Sequence, residues 1–200
     1  MSQNKTNFAV PLAFVGMMFF AIGFALGINS FLIPVLKGAL SLPSGVAYLL
    51  LAATFVPFLI FGYPASATIA KIGYKRTMAL SFLIFAVAFI LFVLSAKLEN
   101  FILFLIASFV SGAANAYLQA SVNPYITILG PIESAAKRMS IMGICNKLAW
   151  PVAPLFFALV VADQTNVQTS DLYLPFYIII GVFLLLGIIS LMAPLPEVKA

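Results

Sequence analysis

The sequence predicts an all-α membrane protein, a bundle of six transmembrane helices arranged as two inverted repeats of three. Three observations carry that expectation. Of its 200 residues 64% are hydrophobic and only 8% charged, with a mean hydropathy of +1.18, a balance no soluble domain of this size could carry on its surface. Charges and turn residues cut the chain into six apolar runs, each about 20 residues or longer, the length that crosses a hydrocarbon core. Finally, an offset of 90 residues places Pro34 on Pro124, Pro64 on Pro154 and Asn29 on Gln119. An odd number of spans per repeat makes the second copy inverted in the membrane.

The expected spans are 8–36, 44–70, 77–96, 101–130, 139–162 and 173–193, with repeat one over 8–96 and repeat two over 101–193 of a single bundle covering 1–200. The first follows one lysine, Lys5, and its apolar run is too long for a signal peptide. The second opens at "LPSG", where Pro43 and Ser44 supply a helix start. Spans one and four share an amide followed five residues later by a proline, as "NSFLIP" and "QASVNP"; spans two and five each carry a proline at equivalent depth. "PIESAAKR" separates spans four and five, its Pro131 and charges making the break. "GFALG", from Gly23 to Gly27, has the small-xxx-small spacing of close helix packing. The aromatic residues are expected mostly to face lipid or the interfaces, Trp150 excepted.

Lys5, Lys71, Lys75, Arg76, Lys137, Arg138 and Lys199 fall on one side of an alternating chain, against Lys37 and Lys97 on the other. By the positive-inside rule both termini are cytoplasmic, in a bacterial inner membrane, and the "DQTNVQTSDLYLP" loop faces outward. The net charge of +5 therefore reflects loop topology and not a nucleic-acid surface. A lone Cys145 and the absence of histidine exclude an internal disulfide and leave zinc or haem without obvious ligands. An intramembrane enzyme has neither histidine, paired carboxylates nor a serine with a plausible base. No resident cofactor is expected.

Polar side chains within hydrocarbon face a bundle interior or a wet cavity. Span one has Asn29 and Ser30, span four Asn115, Gln119, Ser121 and Asn123, and span five Ser140, Asn146 and Lys147. Asn115, Gln119 and Asn123 recur every fourth residue and so share one helix face. Amides pair with sugar hydroxyls as donors and acceptors, and equally well with one another between helices. Pro34, Pro124, Pro151 and Pro154 free backbone carbonyls, shape the bundle and leave acceptors at a cavity wall. Trp150 offers an aromatic face to a sugar ring. Lys147 lies about 12 Å along span five, where it either snorkels to the cytoplasmic interface or meets an ion partner or substrate. No Asp or Glu falls within any span, so the usual proton-carrying carboxylate is absent.

"MFFAIGFALGINSFLIPVLK", "YLQASVNPYITILGPIESAAKRMS" and "GICNKLAWPVAP" resemble the fucose permease and glucose/galactose porter family of the major facilitator superfamily. The resemblance covers spans one to five well and span six by hydrophobicity alone. It implies sugar–cation symport, with a proton or sodium as coupling ion, by two six-span halves rocking about a central site; a 3+3 inverted repeat is the internal plan of each half. Ser30 lies where fucose permeases carry an aspartate, and Gln119 where they carry a glutamate; both positions are tied by the resemblance to sugar binding and proton coupling. Gln119 is similar to the glucose/galactose branch, whereas Ser30 departs from both. Asn146 falls on a sugar-contacting asparagine. "GYPASATIAKIGYKRT" is similar to the signature between spans two and three, with Ala70 in place of its aspartate.

The sequence is thus expected to be the N-terminal half of a twelve-span sugar transporter, for a hexose or deoxyhexose, as a fragment, a truncated product or a half that pairs with a second six-helix half in the lipid bilayer. Asn29, Ser30, Gln119, Asn123, Asn146, Lys147 and Trp150 are its candidate substrate contacts. The alternative is a non-transporting membrane subunit or sensor derived from such a half.

Overall fold

Residues 8–196 are described by a computed structural model. The first span is α1 (Ala9–Ala39). The second is assembled from α2 (Ser44–Ala47), α3 (Leu49–Ile60) and α4 (Gly62–Ile72), and the rest are α5 (Tyr74–Leu98), α6 (Phe101–Ile128), α7 (Ala135–Val160) and α8 (Tyr173–Met192). Five of these helices are long and apolar enough to cross a membrane singly, and the broken second unit brings the number to six. The expectation of one unbroken helix over 44–70 is corrected by a 54° bend between Ile60 and Gly62. Pro64 cannot donate to the Ile60 carbonyl, so the helical ladder is interrupted where Gly62 adds backbone freedom. Its counterpart Pro154 sits inside the unbroken α7, so the two matched prolines do different things.

The fifth span also starts earlier than 139. A short 3-10 turn over Ile132–Ser134 runs directly into α7 at Ala135, which carries Arg138 into the helix and buries it. There Arg138 closes the end of α6: its Nε donates to the Ile126 carbonyl at 3.0 Å, Nη2 to Thr127 at 2.9 Å and Nη1 to Pro131 at 2.8 Å. Those carbonyls belong to the last turn of α6 and the break behind it, where no further helix supplies donors. Gly130 turns the chain at φ 116 directly under the guanidinium, a conformation and a space that suit only glycine. Arg138, read from sequence as a topology charge, is therefore a helix cap.

α1 packs most extensively on α7, α3 on α6, and α5 on both α6 and α8. The first two pairings join span one to span five and span two to span four, an exchange between repeats that an inverted 3+3 plan requires. Both crossings rest on glycine. A Cβ on Gly23 would collide with the Asn146 carbonyl, one on Gly27 with the Trp150 carbonyl, and one on Gly112 with the Thr54 carbonyl. "GFALG" is thus a packing motif, as its spacing predicts. Because Pro154 has no N–H to offer the Trp150 carbonyl, that oxygen is free to press against the Gly27 backbone.

The third contact surface corrects the expectation for the aromatics. Phe82, Phe85, Phe89 and Phe92 on α5 are buried against Phe104 of α6 and Phe176 and Phe183 of α8. Neighbouring centroids lie 4.9 Å apart for Phe85 and Phe183 and 5.3 Å for Phe92 and Phe176. Between helices in lipid there is no hydrophobic gain, so dense ring-on-ring dispersion supplies the attraction instead.

At one end of the bundle Thr169 donates to Glu99 at 2.8 Å, and Asn100 caps α6 through the Ile102 amide. In the 163–171 loop, Thr165 donates its hydroxyl and amide to Asp163, which holds that carboxyl below its ordinary range. At the opposite end the segment after α8 folds back: the Ala193 carbonyl accepts from Lys75 Nζ at 2.8 Å and the Pro196 carbonyl from Tyr125 Oη at 2.8 Å. Lys5 and Lys199, used in the orientation argument, lie outside the described residues.

Gly23→Ala should lower the unfolding free energy by about 2 kcal/mol, as overpacking does, because the opposing atom is backbone and cannot rotate away. Gly143→Ala, whose Cβ meets nothing within 4 Å, should leave the melting temperature in detergent unchanged. Arg138→Met should cost about 2 kcal/mol, the scale of hydrogen bonds from a charged donor, and speed protease cleavage within 129–134; both are read by thermal melting and limited proteolysis.

Candidate functional site

α1, α2, α3 and α7 enclose a cleft of about 550 Å³ whose polar lining comes from Asn29, Ser30, Lys37, Ser44, Tyr48 and Trp150. Pro34 shapes its wall. With no N–H on Pro34 the Ser30 carbonyl loses its helical partner, so the backbone there remains an acceptor in addition to the exposed Ser30 hydroxyl. Trp150 reaches this cleft because Gly27 lets α7 lie against α1, and the same crossing brings Asn146 beside Gly23.

Asn29 is buried, and its Nδ2 donates to Thr54 Oγ1 at 3.2 Å; the Thr54 hydroxyl in turn donates to the Leu50 carbonyl at 2.8 Å. This amide therefore ties α1 to α3 while lining the cleft. Thr54 lies opposite Gly112 much as Asn146 lies opposite Gly23. The 90-residue offset places Thr54 on Ile144, so no repeat signal in the sequence pointed to it.

On α6 the amide stripe is present but unequal. Asn115 is buried, and Gln119 Nε2 reaches its Oδ1 over a long 3.5 Å. Asn115 Nδ2 is buried with no acceptor among the described residues, an uncommon condition inside a helix bundle. Asn123, one turn on, is half-buried and makes no side-chain hydrogen bond to any described residue. The stripe does not line the cleft. The seven candidates thus fall into two groups: Asn29, Ser30 and Trp150 in the cleft, and Gln119 and Asn123 along α6. Asn146 and Lys147 approach the first group through α7.

Lys147 is exposed, and its Nζ stands 4.9 Å from the Trp150 ring centroid. Trp150 lies one turn further along α7, and its ring face is the contact that the ammonium makes. The Trp150 Nε1 is buried without an acceptor among the described residues. Sequence reasoning missed Lys37, Ser44 and Tyr48 as cleft residues, because they sit where span one ends and the broken span two begins.

A larger groove of about 770 Å³ opens between α1, α7 and α8, lined by side chains such as Leu12, Met17, Phe20, Ile141, Ile178 and Val182. It offers a hydroxylated ligand almost nothing to bond, so the smaller polar cleft is the candidate site. Among the described residues no cluster of His, Cys, Asp or Glu could hold a metal ion.

The Major Facilitator Superfamily model matches residues 14–200. The glucose/galactose transporter of Brucella abortus (strain 2308) is 30% identical over 203 residues, covering 99% of this chain and 49% of that protein. The L-fucose-proton symporter of Escherichia coli (strain K12) is 23% identical over 217 residues, covering 98% and 50%. The crystal structure of the transporter FucP in the outward conformation is similar at a TM-score of 0.79 and 22% identity, covering 94% of this chain and 50% of that one. The chain spans about half the length of the curated relatives it matches. Six spans in exchanged pairing and a sequence match running from within α1 through the last residue lead to one assignment: the chain belongs to the Major Facilitator Superfamily.

Proposed function

We propose that the chain is one six-helix half of a sugar transporter, working by alternating access with a second six-helix half in the bilayer. The observation that carries the reading is the cleft of Asn29, Ser30 and Trp150, with the half-satisfied amides of α6 beside it. Neutral donors and acceptors around an aromatic face are the chemistry a hexose or deoxyhexose asks of a binding site. The relatives, a glucose/galactose transporter and an L-fucose-proton symporter, support that substrate class. The two repeats, 8–96 and 101–193, form one unit, both termini face the cytoplasm, and the membrane is a bacterial inner membrane. The chain has no catalytic role and no resident cofactor.

Transport is cation-coupled, by a proton or sodium. α1 and α3 to α8 contain no Asp or Glu, so a proton carrier in the spans would have to come from the second half.

The direct test is uptake of labelled galactose, glucose and fucose into vesicles holding this chain with and without a candidate second half; absence of uptake from both preparations sinks the proposal. Gln119→Ala should reduce sugar binding at least tenfold with expression unchanged, whereas undiminished binding would assign the α6 amides to helix packing. Sugar binding to the chain itself should be flat between about pH 5 and about pH 8, since it has no histidine and no carboxylate in a span. Gln119→Glu should introduce a pH dependence, read by following the fluorescence of Trp150 during sugar titration.

A further inference from the structure

Resting on the sugar-site reading, the charge distribution narrows the substrate. Lys147 lies in the middle part of α7, exposed, and its interaction with the Trp150 ring is not matched by any carboxylate among the described residues. The four described carboxylates all lie outside the long helices, and three are engaged locally: Glu99 by Thr169, Asp163 by Thr165 and Asp171 by the Gln168 amide. The fourth, Glu133, sits in the 3-10 turn before α7, and Glu197 is outside the described residues. Lys37 stands at the α1 end of the same cleft that Trp150 lines, so the cleft carries cations at its rim and beside its aromatic wall without a counter-ion. An ammonium within a membrane span is costly unless an anion meets it, and a ring face compensates it only in part.

We propose that Lys147 receives the carboxylate of an acidic sugar, a hexuronate, whose hydroxyls are met by Asn29 and Ser30, with Lys37 favouring entry of the anion. A carboxylate differs from a hydroxyl at this position by accepting charge-assisted hydrogen bonds from the ammonium, which are roughly twice as strong as neutral ones. Drawing Lys147 toward such a ligand also takes it off the indole, which exposes the ring to the sugar.

Trp150 is the chain's sole tryptophan and reports on its own surroundings. The full chain in detergent is titrated with galacturonate, galactose and, as an anion control, acetate, following Trp150 emission. Galacturonate should bind at least tenfold more tightly than galactose, and acetate should change nothing at the same concentration. Lys147→Gln should abolish the preference for galacturonate over galactose, its melting temperature in detergent showing that the variant is folded; Lys147→Arg should keep the preference. Equal affinity for the two sugars in the parent chain overturns the carboxylate assignment while the sugar site stands. A preference that survives Lys147→Gln, or a response to acetate equal to that for galacturonate, overturns it as well. Equal loss of both sugars in Lys147→Gln assigns the lysine to packing or to a carboxylate on the facing half and likewise overturns it. Binding of neither sugar to the parent chain defeats both this inference and the sugar reading on which it rests.

Discussion

Two helix crossings, too close for a Cβ, hold this bundle and set its cleft. In lipid, apolar side chains gain nothing by leaving one apolar surrounding for another, so association depends on close contact and polar pairing. At Gly23 and Gly27 the α1 backbone meets the carbonyls of Asn146 and Trp150; at Gly112 the α6 backbone meets the carbonyl of Thr54. The first crossing determines where the indole sits relative to Asn29 and Ser30, so packing and site geometry are one constraint. A methyl group at Gly27 would push Trp150 outward and open the cleft wall even where the helices survived.

The second constraint is that backbone polar groups in a bilayer need partners within the protein. Prolines create the exceptions, and their positions decide what becomes of each freed carbonyl. Pro154 frees Trp150, whose oxygen lies on glycine; Pro34 frees Ser30, whose oxygen is in the cleft wall. Pro64 frees Ile60 at the 54° bend. Arg138 solves the opposite problem at the end of α6, where carbonyls run out of helix and a buried guanidinium replaces the missing donors. Side-chain amides divide in the same way. Asn29 bonds Thr54 and fastens two helices, while the buried Asn115 Nδ2 has no acceptor among the described residues.

Much of this was legible in the sequence. Hydropathy and turn residues located six spans to within a few residues, and the spacing of "GFALG" announced a close crossing. The 90-residue offset matched prolines and amides between spans, but the matched Pro64 and Pro154 have different consequences for their helices. What was not legible depends on direction. The phenylalanines of α5 repeat at spacings that suit lipid or core equally, and only the position of α8 decides that they are core. The bend in span two needed the joint effect of Gly62 and Pro64, whereas the same kind of proline in α7 left the helix continuous. Arg138 was counted as a loop charge because the start of α7 was placed four residues too late.

The candidate residues were chosen by polarity, spacing, aromatic character and family resemblance, and the structure sorts them by what each already has. Asn29 commits one of its two amide N–H groups to Thr54, which leaves a carbonyl oxygen and a second N–H. Ser30 offers a hydroxyl and a freed backbone acceptor, and Lys147 offers charge. A wall that both donates and accepts, with a cation beside it, suits a ligand with hydroxyls along one edge and an anionic acceptor at one end. The α6 stripe lies apart from this wall: Asn115 is buried, while Gln119 and Asn123 carry amides that both donate and accept. Which of these side chains a neighbouring surface can reach is therefore set by burial as much as by polarity.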